Sequence, residues 1–113
     1  YLLDKTSEKI YHPNLSSPYR TAYFLDDLAS STLIDSAPDS IIIGQFADGT
    51  SKKYLLVVNK DYTTTKSGTI TLKSYKKVSV FNKTDATVSL VSNYTNSIPL
   101  NIPGGDASLF IIE

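Results

Sequence analysis

The chain has 113 residues with 11 basic and 11 acidic side chains, so its formal net charge is zero and no overall field attracts a polyanion such as a nucleic acid. It contains no cysteine and a single histidine, His12, which excludes disulfides, a thiol nucleophile and a metal site built from several histidines. From its length we expect one domain, monomeric and without metal or cofactor. No apolar run is long enough to span a bilayer, so we expect no membrane insertion.

The first 40 residues give mixed signals. Residues 9–12 have the composition of a short strand, whereas 13–18 and 35–40 are rich in proline, serine and aspartate, as loops are. Apolar residues stand at helical spacing over 21–29, but the run is short. We predict that residues 1–40 form a mostly irregular segment that leads out of a preceding domain and packs only partly on the rest.

Two strongly apolar runs follow, at 41–47 and 53–59, joined by an Asp48-Gly49 hairpin signal. Both runs are apolar on both faces. A strand of this kind needs a cover on each side of the sheet. We therefore place 53–59 in the centre of a sheet.

Alternation of apolar and polar residues marks the next predicted strands, at 69–73, 77–81 and 87–91. The side chains predicted to point inward are Ile70, Leu72, Val78, Val80, Val88 and Leu90.

The last two predicted strands are 98–102 and 107–112. In the first of them Pro99 lies on the face opposite to Ile98, and proline cannot donate to a ladder, which indicates an edge or irregular strand. With seven strands and no helix after residue 40, the sequence predicts that residues 41–113 form an antiparallel β-sandwich of about seven or eight strands.

The residues needed for catalysis are sparse. His12 stands beside a proline, and no Gly-x-Ser-x-Gly motif supplies a nucleophile for it. Glycosidic cleavage needs two facing carboxylates. The two glutamates, Glu8 and Glu113, lie near opposite ends of the chain, and the side chains of the adjacent Asp26 and Asp27 diverge. We predict that this chain is not an enzyme.

Sugar binding is the main positive alternative, because sugar-binding modules stack aromatic rings on pyranose rings. Tryptophan is absent, and the tyrosines in polar settings are Tyr19, Tyr62, Tyr75 and Tyr94. A planar row does not follow from their spacing. Tyr62, Tyr75 and Tyr94 are the candidates for contact with a polysaccharide, and ordinary packing or surface roles remain open for all of them.

The final strand predicts a docking surface. Leu109 and Ile111 lie on one face, and Phe110 and Ile112 lie on the other, so a cover is needed on both sides. The run 41–47 adds Ile42 and Phe46. The candidate docking residues are therefore Phe110, Ile112, Ile42 and Phe46. Either another domain covers them, or the first 40 residues fold back with Tyr23, Phe24, Leu25 and Leu28.

Three stretches resemble a known family. They are IGQFADG at 43–49, YLLVVNKDY at 54–62 and LNIPGGDASLFII at 100–112. Together they resemble the C-terminal β-sandwich domains that follow the catalytic barrel in bacterial glycoside hydrolases. The Tyr-His at 11–12 is similar to a pair in the connecting segments of some of these proteins.

The resemblance implies a non-catalytic accessory domain that stabilises or docks on the catalytic domain of its parent chain, in an extracellular, cell-surface or periplasmic setting. It carries no catalytic residue to this chain, because those of the family lie in the barrel. Two alternatives stay open: a carbohydrate-binding module, which would show an exposed coplanar tyrosine pair, and a spacer domain of a bacterial surface protein.

Overall fold

The computed structural model describes residues 6–11, 31–38, 41–47, 49, 51–61, 63–82 and 85–113. These residues form seven β-strands, and none of them lies in a helix. The strands are β1 (Thr6–Tyr11), β2 (Ile34–Ser36), β3 (Ile41–Ala47), β4 (Lys53–Asn59), β5 (Lys66–Asn82), β6 (Thr87–Ile102) and β7 (Ala107–Ile112).

All seven strands belong to one antiparallel sheet, which curls into a half-barrel. The order across the sheet is β1-β3-β4-β7-β5-β2, and β6 pairs with the other side of β5. The predicted all-β antiparallel fold is thus confirmed, while the sandwich stays a prediction. The central position predicted for β4 is also confirmed, since it lies between β3 and β7.

The two longest strands differ from the prediction. The sequence predicts separate strands at 69–73 and 77–81, but both lie in the 17-residue β5. Likewise, 87–91 and 98–102 both lie in the 16-residue β6. The expected loops are replaced by breaks in register between β5 and β6. Bulges bend a sheet without ending its strands. The polar residues at these places therefore belong to the strands, although their composition is typical of loops.

Because β5 bends, it pairs with two different strands along the same edge. Near its start, Leu72 pairs with Ile34 of β2. Further along, Val78 pairs with Ile112 of β7. β6 follows β5 along the opposite edge on both sides of the bend. One long hairpin therefore spans the two halves of the curved sheet.

Part of the N-terminal segment contributes to this sheet. Strand β1 pairs with β3, and Ser31 positions β2 because its Oγ accepts hydrogen bonds from the backbone N–H groups of Leu33 and Ile34 at 3.1 and 2.8 Å. The predicted helical spacing at 21–29 and the proposed cover from Tyr23, Phe24, Leu25 and Leu28 lie outside the described residues.

The main core lies on one face of the curved sheet. Ile70, Leu72 and Val78, all predicted to point inward, are buried in it. The other fully or nearly fully buried members are Leu33, Ile34, Ile41, Ile43, Leu55, Val57, Ile98, Leu100, Ile102, Phe110 and Ile112.

Two residues predicted to be inward are not in this core. Val88 and Leu90 of β6 are 50% and 53% exposed. Their alternation with serines is that of a half-buried strand, but Val88 pairs with Phe81 and Leu90 pairs with Ser79, which places both on the opposite side of the sheet from the main core. The prediction was wrong because a period of two does not identify which face is covered.

Candidate functional site

The face of the sheet opposite to the main core carries a second apolar cluster. Tyr54, Leu109 and Ile111 are buried in it, with exposed fractions of 3%, 6% and 6%. Phe46, Leu56 and Phe81 are partly buried around them. Strands β4 and β7 are therefore apolar and buried on both faces, as the sequence predicts for strands without polar alternation.

The strand register extends this cluster to the edge of the sheet. Tyr54 pairs with Ile111, Ile111 pairs with Ser79, and Ser79 pairs with Leu90. Two residues further along β5, Phe81 lies directly opposite Val88. Paired residues share a face. Phe81, Val88 and Leu90 thus form a continuation of the buried cluster onto the exposed edge strand, and we call these three residues the edge patch.

The candidate docking residues do not form one surface. Phe110 and Ile112 belong to the main core and are 5% and 1% exposed. Ile42 and Phe46 are half-buried, and the alternation of β3 places them on the opposite face from the core residues Ile41 and Ile43. Phe110 pairs with the core residue Leu55, whereas Phe46 pairs with Tyr54 of the second cluster. The two sets therefore lie on different sides of the sheet. On β7 it is Leu109 and Ile111 that occupy the second face.

Strand β6 has an unusual composition for the rim of a sheet. Among the described strands it pairs only with β5, yet none of its 16 residues, Thr87–Ile102, is charged. Edge strands normally carry lysines or other charges that prevent pairing with another chain. Pro99 is the one residue of β6 with that protective effect, and it lies away from the edge patch. The end of β6 near residue 90 is thus both uncharged and apolar.

The structure brings together two of the three candidate sugar-binding tyrosines. The rings of Tyr75 and Tyr94 stack with their centroids 4.7 Å apart and their planes 19° from parallel. Both side chains are exposed, Tyr75 by 53% and Tyr94 by 74%. They lie face to face and not side by side, so they are not the coplanar platform that the carbohydrate-module alternative anticipates. Tyr62 lies outside the described residues.

The breaks in register position this stack. Thr71 pairs with Ser97 and Lys76 with Thr95, so residues 72–75 of β5 face only one residue of β6. Beyond Lys76, the extra residues are on β6 and include Tyr94. Bulges re-aim the side chains that they contain. Both tyrosines therefore leave the regular alternation and meet over the bend, which strand periodicity in the sequence does not reveal.

Short polar side chains satisfy the backbone where the ladder is interrupted. The Tyr94 backbone N–H donates to Ser92 Oγ at 3.2 Å, and the Ser97 N–H donates to Thr95 Oγ1 at 3.1 Å. Thr95 Oγ1 also donates to the Ser97 carbonyl oxygen at 3.2 Å. Serine and threonine favour such local bonds in turns and bulges. The Ser/Thr-rich composition of 92–97 thus supports the conformation that presents Tyr94.

Two lysines, each two residues from Tyr75 in the sequence, contact acceptors of the protein. Lys73 Nζ donates to the Ser31 carbonyl oxygen, and Lys77 Nζ forms an ion pair with Glu113 Oε2 at 3.1 Å. Lys52 Nζ lies 3.4 Å from Glu113 Oε1. The hydrogen bond and charge of Lys77, with a smaller contribution from Lys52, lower the pKa of the Glu113 carboxyl. These pairs are exposed, so they contribute little to folding stability.

Asn59, at the end of β4, is the centre of a hydrogen-bond network that reaches the end of β6. The Asn59 side-chain amide donates to the carbonyl oxygens of Thr64 and Ile102 at 2.9 and 3.0 Å. Its Oδ1 accepts from the Asp61 N–H at 2.9 Å. Hydrogen bonds from the hydroxyls of Thr64 and Thr63 and from the Thr63 backbone hold the pKa of Asp61 at about 2. Asn59, Asp61 and the threonines fix a loop and have a structural role.

The candidate catalytic residues lie only in part within the described ranges of the chain. No group of three or more histidine, aspartate or glutamate side chains there could hold a metal ion. His12, Asp26 and Asp27 lie outside the described residues. Glu8 lies in β1, near the other end of the chain from Glu113, which forms ion pairs with lysines. Within the described ranges, no helix is long and apolar enough to cross a bilayer.

No protein-family model, curated protein or solved structure matches this chain.

Proposed function

We propose that this chain is a non-catalytic accessory domain of a larger secreted glycoside hydrolase, and that it docks on the catalytic domain through the edge patch. The observation that carries the proposal is the apolar cluster around Tyr54 and Ile111, which continues through Phe81 to the half-exposed Val88 and Leu90. The family is proposed from the residues at 43–49, 54–62 and 100–112.

The physical basis is the cost of exposed apolar surface. Isolated exposed apolar residues are common, but contiguous ones at the border of a buried cluster are typical of interaction surfaces. Val88 and Leu90 sit two residues apart on one face of β6, and Phe81 lies opposite Val88. A protein that left this edge open would invite aggregation, because β6 carries no charge to prevent strand pairing.

A neighbouring domain suits this surface better than a small ligand. The edge patch lies on the sheet and its rim, whereas small-molecule sites are concave pockets that enclose their ligand. A partner that packs on the second face would add a layer over the half-barrel. This two-layer arrangement between domains differs from the sandwich that the sequence predicts within residues 41–113 alone.

The test uses the full-length natural polypeptide that contains these 113 residues. Leu90→Lys places a charge in the patch, and Thr69→Lys at an exposed position of β5 is the matched control. Limited proteolysis should release the accessory domain faster in Leu90→Lys and at the original rate in Thr69→Lys. Equal release rates for both variants, or a full-length protein without a glycosidase domain, would refute the proposal.

A further inference from the structure

We infer that the Tyr75–Tyr94 stack is a binding site for single neutral pyranose units of a soluble oligosaccharide, with Tyr94 as the main contact. This site is separate from the edge patch and does not depend on the docking role. It would make the domain a contact point for substrate chains as well as a structural support.

The exposure of Tyr94 is the first argument. With 74% of its surface open, this ring is the most exposed large hydrophobic side chain in the described part of the chain. Tyr75 covers one of its faces at a centroid distance of 4.7 Å. The opposite face is left for another flat apolar group. Sugar rings with axial C–H groups offer such a face, and the stack holds Tyr94 in place before the ligand arrives, which lowers the entropy lost on binding.

The shape of the stack limits what can bind. The free faces of the two rings point in opposite directions, because the rings cover each other. A flat polymer surface cannot lie against both faces at once. One pyranose unit can stack on Tyr94, and its hydroxyls can then exchange hydrogen bonds with the polar side chains of the bulge. Exposed candidates for that role are Asn93 and Ser97.

The distribution of charge favours a neutral ligand over a nucleic acid. Stacking of bases on aromatic rings is common in single-strand binding, but it is accompanied by free lysine and arginine side chains that contact phosphates. Here Tyr94 lies on an uncharged strand, and the ammonium groups of Lys73 and Lys77 are bound to Ser31 and Glu113. Lys76, which is adjacent to Tyr75 and pairs with Thr95, is the one further lysine among residues 72–77, and a single cation does not provide a row of phosphate contacts. A polyhydroxylated, uncharged ligand matches this surface.

The experiment is an NMR titration of the 113-residue chain with cellohexaose, xylohexaose and mannohexaose, and with a polyuronate and single-stranded dT12 as charged comparisons. At least one neutral hexaose should give saturable shifts centred on Tyr94, with a dissociation constant of about 1 mM, as expected for one stacked ring. Insoluble cellulose should not retain the chain. Absence of saturable shifts with all three hexaoses, or stronger binding of the polyuronate or the DNA, would overturn the inference.

Variants separate binding from structure. Tyr94→Ala should weaken binding at least about tenfold, since it removes the stacking ring. Tyr94→Phe keeps the ring and should stay within about twofold of the original affinity. Asn101→Ala, an equally simple truncation at an exposed residue of the same strand, should leave affinity unchanged. Shifts that persist in Tyr94→Ala would show that the sugar binds elsewhere, and circular dichroism of each variant checks that the fold is retained.

Discussion

The side-chain amide of Asn59, at the end of β4, donates a hydrogen bond of 3.0 Å to the carbonyl oxygen of Ile102, which is 43 residues away at the end of β6. The same amide reaches Thr64, and Asn59 is 1% exposed. One buried side chain thus ties together the ends of two strands that are not neighbours in the sheet.

We expect Asn59→Ala to lower the free energy of unfolding by about 1–3 kcal/mol, because it leaves the buried carbonyl oxygen of Ile102 without this donor. Asn101→Ala changes an exposed asparagine near the same strand end and should alter stability by less than about 0.5 kcal/mol. Chemical denaturation of both variants measures the difference. Equal values for the two would show that the Asn59 hydrogen bonds do not stabilise the fold.

Acid should weaken the Asp61 loop in a defined range of pH. The folded state lowers the pKa of Asp61 from its ordinary value of 3.8 to about 2, so the unfolded state takes up a proton first as pH falls. The stabilising contribution is complete above about pH 4 and is lost between about pH 4 and 2. In Asp61→Asn, the loss of stability over this range should be smaller than in the original chain.

Thermal denaturation at several pH values checks this dependence. Asp35→Asn, at an exposed aspartate of β2, is the matched control for the removal of one carboxylate. If Asp61→Asn and Asp35→Asn lose stability in parallel below pH 4, the hydrogen bonds from Thr63 and Thr64 are not the cause.

The main features of the fold follow from local patterns in the sequence. Strands β3, β4 and β7 have the predicted bounds, because unbroken apolar runs between turn residues leave few other conformations. Ile70, Leu72 and Val78 are buried as predicted. The strand bounds and the inward positions depend on the periodicity and composition of residues that are close together in the sequence.

The candidate sites depend on long-range register, which the sequence pattern does not contain. Val88 and Leu90 alternate like core residues, and only their pairing with Phe81 and Ser79 shows that they face the other side. Tyr75 and Tyr94 meet because bulges lie on both strands of one hairpin. A signal that was present in the sequence is the lack of charge from residue 87 to 102, which is unusual for an edge strand.

A pair of leucine truncations distinguishes the two apolar surfaces. Leu55 is fully buried in the main core, and Leu55→Ala should cost about 2–5 kcal/mol of folding stability through lost contacts and the cavity left behind. Leu90 is 53% exposed, and Leu90→Ala should change stability by less than about 0.5 kcal/mol. Urea denaturation of the two variants gives both values. A large loss in Leu90→Ala would mean that Leu90 belongs to the core of the isolated chain.

The turn between β5 and β6 offers a stabilising substitution. Ala86 has a φ of 59°, a left-handed conformation in which a side chain is unfavourable. Its N–H donates to the Asn82 carbonyl oxygen at 2.9 Å and fixes that conformation. Ala86→Gly should raise the free energy of unfolding by up to about 1 kcal/mol. Ala107→Gly, in the extended strand β7, should lower it instead, and thermal melting of both variants provides the comparison.

Cysteine accessibility in the full-length natural polypeptide tests the docking proposal most directly, since this chain contributes no cysteine of its own. Leu90→Cys places a thiol in the edge patch, and Asn101→Cys places one at an exposed position near the other end of the same strand. If the edge patch docks on a catalytic domain, a maleimide should label Leu90→Cys at least about tenfold more slowly than Asn101→Cys, because local opening must precede the reaction. Labelling of both thiols at the same rapid rate would contradict the proposal.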